Sequence, residues 1–127
     1  MKANAKAMLE KSSYISFATR KRSGEWVATP VWFAADGDNY YVFSAGAAGK
    51  VKRLRNFNDA RIAACTMTGT LTGEWLDTRA FVLDKPADRD TALAALRRKY
   101  GWQMLMTDFF SRLTGKMGRR AYIRIAR

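Results

Sequence analysis

Histidine is absent from the 127 residues. Without an imidazole the chain has no Ser-His or Cys-His nucleophile pair and no histidine-metal centre. Cysteine occurs once, at Cys65, so an intramolecular disulfide framework is excluded and thiolate metal ligation lacks a second ligand. Cys65 reads instead as a small buried hydrophobe. No stretch approaches the roughly twenty apolar residues needed to span a bilayer, and residues 1–11 hold no run of signal-peptide length. A cytoplasmic location and no membrane partner are the expectations. Acidic residues are few, 11 against 23 lysines and arginines, and scattered over turn-like positions such as Asp36, Asp38 and Asp84. A paired-carboxylate hydrolase therefore has no support, and an enzyme of this composition needs its reactive group from outside the chain.

What is present suits one folded unit. The length fits a single domain over residues 1–127, and 48% hydrophobic with 13% aromatic residues is enough to build a core. The formal charge of +12 points to an anionic partner: nucleic acid, an acidic membrane surface or a phosphorylated small molecule. Charge alone does not separate these, so its placement has to.

Residues 3–10 read as a short helix with Ala7 and Met8 facing inward, and residues 14–19 as a strand. A second strand is expected over residues 25–35. Asp36-Gly37-Asp38-Asn39 is a hairpin signal before an aromatic strand at 40–44, and these three strands together suggest a meander. The second has apolar residues on both faces, as if neither met water. Pro30 in its middle gives no ladder hydrogen bond, so pairing is interrupted there or the strand lies at an edge, leaving backbone groups free. After the small-residue loop 45–49, Val51 and Leu54 recur at helical spacing through 50–57. Strands follow at 60–66 and 74–83. Pro86 then suits the first turn of a helix whose acidic residues, Asp88 and Asp90, lie at its start and whose basic ones, Arg97 to Lys99, lie at its end. Gly101-Trp102 interrupts it, further helical turns are expected over 104–113, and a last strand over 122–125. Six mainly antiparallel strands with two or three helices favour a small barrel, because closure removes exposed edges.

The segment Ser-Ala-Gly-Ala-Ala-Gly-Lys-Val-Lys-Arg-Leu-Arg, residues 44–55, is the most informative. Small residues let backbone N–H groups approach a phosphate, the following helix points its positive end there, and Lys50, Lys52 and Arg53 add charge. Ser44 can donate a hydroxyl. A nucleoside-triphosphate P-loop does not fit: the glycine spacing is wrong, and Val51 stands where a Ser or Thr would bind magnesium. The plainer alternative is a solvated basic helix face behind a flexible loop.

Four motifs in register, Ala-Thr-Pro-Val-Trp-Phe at 28–33, Gly-Lys-Val-Lys-Arg-Leu at 49–54, Gly-Glu-Trp at 73–75 and Arg-Arg-Lys-Tyr-Gly-Trp at 97–102, resemble one family. It is the pyridoxamine-phosphate-oxidase-like split-barrel superfamily, and within it the small branch held to depend on the deazaflavin coenzyme F420. The resemblance covers residues 14–102. It implies a mainly β fold, a six-stranded Greek-key split β-barrel that binds FMN or coenzyme F420 at the interface of a homodimer and serves as an oxidoreductase acting on a small molecule. Carried over by position, the phosphate falls to Ser44, Lys50, Lys52 and Arg53, the ring lies along Val27, Thr29, Pro30 and Val31, and Trp75 is a wall from the other subunit. Tyr100 and Trp102 pack the long helix and stay outside the site. Each of these also has a plain structural reading: Val27 and Val31 as core, Thr29 as a strand hydroxyl, Trp75 as dimer packing. The rival functions are a binding protein without turnover and, on the strength of the basic clusters at 20–22, 50–55 and from Lys116, a nucleic-acid-binding domain.

Overall fold

The computed structural model describes residues 3–46, 48–101, 103, 104, 106, 107 and 120–126. Helix α1 (Ala3–Lys11) leads into strands β1 (Tyr14–Arg20), β2 (Trp26–Val31), β3 (Ala34–Asp36) and β4 (Asn39–Ala45). Helix α2 (Gly49–Asn56), strands β5 (Asp59–Cys65) and β6 (Leu76–Leu83), helix α3 (Pro86–Tyr100) and strand β7 (Arg120–Ala126) follow. The strands form one antiparallel sheet in the order β2-β1-β5-β6-β7-β4-β3.

One expectation about strands is corrected: the segment 25–35 is two strands, giving seven rather than six among the described residues, because the ladder stops after Val31 and resumes at Ala34. The meander runs through this break, the first half of the segment pairing with β1 and the second with β4, and β4 also pairs with β7. The sheet does not close, since β2 and β3 are both edges.

Its two halves are joined along one seam by β6. Leu76 to Arg79 pair with β5, whereas Ala80 to Leu83 pair with β7. On the other side no ladder pairs the halves among the described residues; the chain crosses through Trp32 and Phe33, and Tyr100 at the end of α3 bonds to Phe33 there. The Phe33 N–H donates to the Tyr100 hydroxyl at 2.8 Å. The Ser13 and Phe33 carbonyls each lie 2.8 Å from that oxygen, as alternative acceptors for its one proton. The Trp32 ring stacks on Tyr100 with centroids 4.5 Å apart. Burial pushes the Tyr100 hydroxyl well above its ordinary range, so the neutral form is the one that holds the split.

The core has two parts. Ile15, Phe17, Ile62, Val42 and Ile123 fill the interior of the curved sheet, with Leu9 of α1 and Leu54 of α2 packed into it. Over residues 6–11 of α1 Leu9 is the buried one, and Ala7 and Met8 face solvent, a rotation from the expected face. The second part lies between α3 and the strands it covers, with Ala92, Ala95 and Leu96 against Ala34, Tyr41 and Tyr122. The helix begins with Pro86 in its first turn, carries Arg97, Arg98 and Lys99 in its last, and stops at Gly101, whose φ of +55° favours glycine. Gln103, Met104, Met106 and Thr107 are helical. The rest of the expected turns over 104–113, Trp102 and the basic stretch from Lys116 up to residue 119 lie outside the described residues.

Candidate functional site

The loop after β4 delivers the chain into α2 with an electropositive first turn. Ala48, at the N-cap, makes no side-chain cap, and the first turn holds no acidic residue. The Val51 and Lys52 N–H groups turn back to the Ala48 carbonyl at 3.1 and 3.4 Å. Gly49 and Lys50, one step earlier, have no backbone partner among the described residues, as expected for the orphan donors of a helix start.

A Cβ on Gly49 would stand 2.7 Å from Nη1 of Arg53, the flexible end of a side chain that folds back over the helix start. From there its Nε donates to Thr19 Oγ1 at 2.6 Å. Lys50 is half-buried, and its ammonium is held below the ordinary lysine range first by that burial and then by the charge of Arg53. Lys52 is exposed. Two cations at the positive end of a helix dipole, with uncapped N–H groups and no carboxylate, repel one another until an anion arrives.

Thr19 links this turn to the candidate ring wall. It is the cross-strand partner of Val27, and two steps along the same ladder Phe17 faces Thr29 and Ile15 faces Val31. Val27, Thr29 and Val31 therefore share the interior face with buried Phe17 and Ile15. Ala28 and Pro30 point the other way and are exposed in the single chain.

The same register fixes where the free backbone groups are. Lys21 N–H donates to the Glu25 carbonyl at 2.8 Å, making this a hydrogen-bonded pair. Alternation along the antiparallel ladder then commits Val27, Thr29 and Val31 to β1 and turns the main-chain groups of Trp26, Ala28 and Pro30 to the open edge. Pro30 thus sits where its missing N–H costs no ladder bond. The donors open to a ligand belong to Trp26 and Ala28, not to the residues singled out from sequence.

Thr29 carries a further sign. Its Oγ1 is buried and has no hydrogen-bond partner among the described residues, a condition that costs free energy unless a ligand relieves it. A ring with polar edges laid along β2 fits such a wall, and a phosphate fits the α2 start.

Ser44 lies on the interior-facing side of β4, with Tyr40 and Val42, and is half-buried. Trp75, 40% exposed, belongs to the connection between β5 and β6, together with exposed Met67 and Leu71. That connection runs past β2: a Cβ added to Gly69 would stand 3.8 Å from Pro30 Cδ. The fold thus brings Arg53 to the neighbour of Val27 and the Trp75 connection to Pro30. Thr19 was missed from sequence; Gly49 was read as part of the small-residue loop, and Pro30 signalled free backbone groups without telling that they belong to Trp26 and Ala28.

No protein-family profile matches the chain, and no curated protein matches it in sequence. Solved structures share its fold. HutZ, a heme storage protein from Vibrio cholerae, superimposes with a TM-score of 0.71 at 13% identity, over 97% of this chain and 87% of that one. A FAD-binding protein from Mesorhizobium loti gives 0.63 at 17% identity, over 99% and 87%. An F420 reductase gives 0.63 at 15% identity, over 99% and 94%. The chain therefore has the open, mainly antiparallel split-barrel fold found in the pyridoxamine 5'-phosphate oxidase-like class of structures.

Proposed function

We propose that the chain binds a phosphate-bearing flavin or deazaflavin, FMN or coenzyme F420, at the seam of a homodimer and uses it for hydride transfer with a small-molecule substrate. The observation that carries this reading is the first turn of α2, where Lys50 and Arg53 converge on uncapped N–H groups with no acid in the turn. In this reading Lys50, Lys52 and the Gly49 and Lys50 N–H groups hold the phosphate, and Ser44 adds a hydroxyl. Arg53, anchored on Thr19, positions the turn. Val27 and Val31 line the ring, Thr29 Oγ1 gains its missing partner, and Trp26 and Ala28 offer main-chain donors along the ring edge. Trp75 of the partner subunit closes the wall, which accounts for exposed Met67, Leu71 and Trp75 on one connection.

The bound cofactor supplies the hydride chemistry, so the absence of histidine is no obstacle. The chain contributes position and field: cations and N–H donors that favour negative charge on the ring. Arg20, Lys21 and Arg55, the basic residues that an acidic tail could meet, are each paired with a carboxylate, Asp59, Glu25 and Asp84, so they do not choose between FMN and the deazaflavin. The test replaces Lys50 and Lys52 together by alanine and titrates FMN and coenzyme F420 calorimetrically. Affinity should fall by at least about 100-fold, the loss of two charge-assisted contacts, with the circular dichroism unchanged. Undiminished affinity overturns the reading.

A second reading, retention of such a ligand without turnover, is favoured by the heme storage protein that shares this fold. Binding with no oxidation of the reduced cofactor by a broad panel of acceptors selects it.

A further inference from the structure

Lys99, in the last turn of α3, lines a cavity of about 330 Å3 that includes none of the residues assigned to the cofactor. Phe33, Ala34 and Ala95 form its apolar wall, and Ala35 on the edge strand β3 is exposed at it. The Lys99 Nζ stands 3.4 Å from the centroid of the buried Phe33 ring and donates to the Ser12 carbonyl at 3.0 Å. Contacts from two separate segments thus fix the amine at the cavity wall. The residue as a whole stays open to solvent, so a small molecule has a route to it.

The other charged and titratable groups around the cavity come from three elements and have partners. Arg98 of α3 lies 3.4 Å from Asp36 of β3, Glu10 of α1 accepts from the Tyr40 hydroxyl at 3.3 Å, and the neutral Tyr100 hydroxyl is bound to the Phe33 backbone. No carboxylate pairs with Lys99 among the described residues. Burial of its ammonium lowers it from 10.5 to about 8. Near neutral pH a substantial fraction of the molecules therefore carries a free amine electron pair at this point, the condition under which lysine is a nucleophile toward carbonyl carbon.

We infer that Lys99 is a covalent carbonyl-binding site, its amine forming a reversible imine with a small uncharged aldehyde seated in this cavity. The nitrogen electron pair attacks the aldehyde carbon, a proton passes from nitrogen to the carbonyl oxygen to give a carbinolamine, and loss of water leaves the C=N bond. No oxidant or reductant is consumed. Phe33 and the alanines suit a short alkyl chain, and with Arg98 shared with Asp36 the cavity offers an anionic group no second cation of its own. The inference does not rest on the cofactor reading, and either can fail while the other stands.

Propanal is the probe. The protein is incubated with it at about pH 7.5, near neutrality where the difference in deprotonated fraction is large, the imine is trapped with cyanoborohydride, and the alkylated lysines are located by peptide mass spectrometry. Lys99 should be alkylated at least about tenfold faster than the exposed Lys11, Lys21 and Lys85. Ala35→Trp, which fills the cavity from its exposed edge, should bring Lys99 down to the rate of those three. Should that variant fail to fold, Ala35→Leu should give a smaller loss in the same direction. Alkylation of Lys99 no faster than that of the exposed lysines overturns the inference, as does fast alkylation indifferent to both substitutions at Ala35.

Discussion

Thr29→Val separates a wall built for a ligand from a wall built for stability. The Thr29 hydroxyl is buried without a partner, and leaving such a group unsatisfied costs about 1–3 kcal/mol. Valine has nearly the same shape and no polar atom, and the position lies in a strand, which β-branched residues favour. The substitution should therefore stabilise the cofactor-free protein by about 1–2 kcal/mol, a rise of roughly 4–8 °C in Tm for a domain of this size. The same change removes a hydrogen bond to the bound ring worth about 1 kcal/mol, or about fivefold in affinity. Differential scanning calorimetry of the free protein and a cofactor titration measure the two effects independently. A Tm that falls, with affinity unchanged, refutes the reasoning: the hydroxyl then has a structural partner, and Thr29 is ordinary strand.

Tyr100→Phe removes the hydroxyl that bridges the split and strands the Phe33 N–H; unfolding should show a loss of about 2 kcal/mol. Because burial raises the Tyr100 hydroxyl above its ordinary value of 10.0, the folded state favours the neutral form. Stability is thus retained below that value and lost as pH rises beyond it, and alkaline denaturation should be milder in Tyr100→Phe than in wild type, measured from each variant's neutral-pH baseline. Lys99, 3.4 Å from the Phe33 ring centroid, is pushed by burial from 10.5 down to about 8. Its sign is opposite: the folded state favours the neutral amine, so stability should rise slightly between about pH 8 and 10.5, and Lys99→Met should flatten that rise in a pH-resolved melting series. On the proposed homodimer, wild-type protein should sediment as a dimer and Trp75→Glu as a monomer; a dimer unchanged by the substitution would place the interface elsewhere.

Local chemistry made most elements legible. β-branched and aromatic content marked β1, aromatic residues marked β4, alternation marked β5 and β7, Asp36-Gly37 marked the β3–β4 turn, and Pro86 with the Arg97 to Lys99 cluster marked both ends of α3. Pro30 announced an interrupted or edge strand, and β2 is one. The site of the break was illegible because Tyr100, 67 residues away, holds the backbone of Phe33. The rest of the strand order was not legible for a related reason: the pairing of β4 with β7 and of β1 with β5 is nonlocal, and no short-range pattern encodes it. In the site, the basic turn of α2 could be read from residues 44–55. Thr19 could not, since a threonine near a strand end looks alike whether or not an arginine reaches it.

The central claim is that the first turn of α2 grips a phosphate joined to a flavin-like ring. Its most direct measurement compares each ring with and without that phosphate: FMN against riboflavin, and coenzyme F420 against its phosphate-free deazaflavin riboside, by fluorescence titration. At least one phosphorylated form should bind about 100-fold more tightly than its dephosphorylated counterpart. Equal affinities within both pairs, or binding of neither ring, would contradict the account.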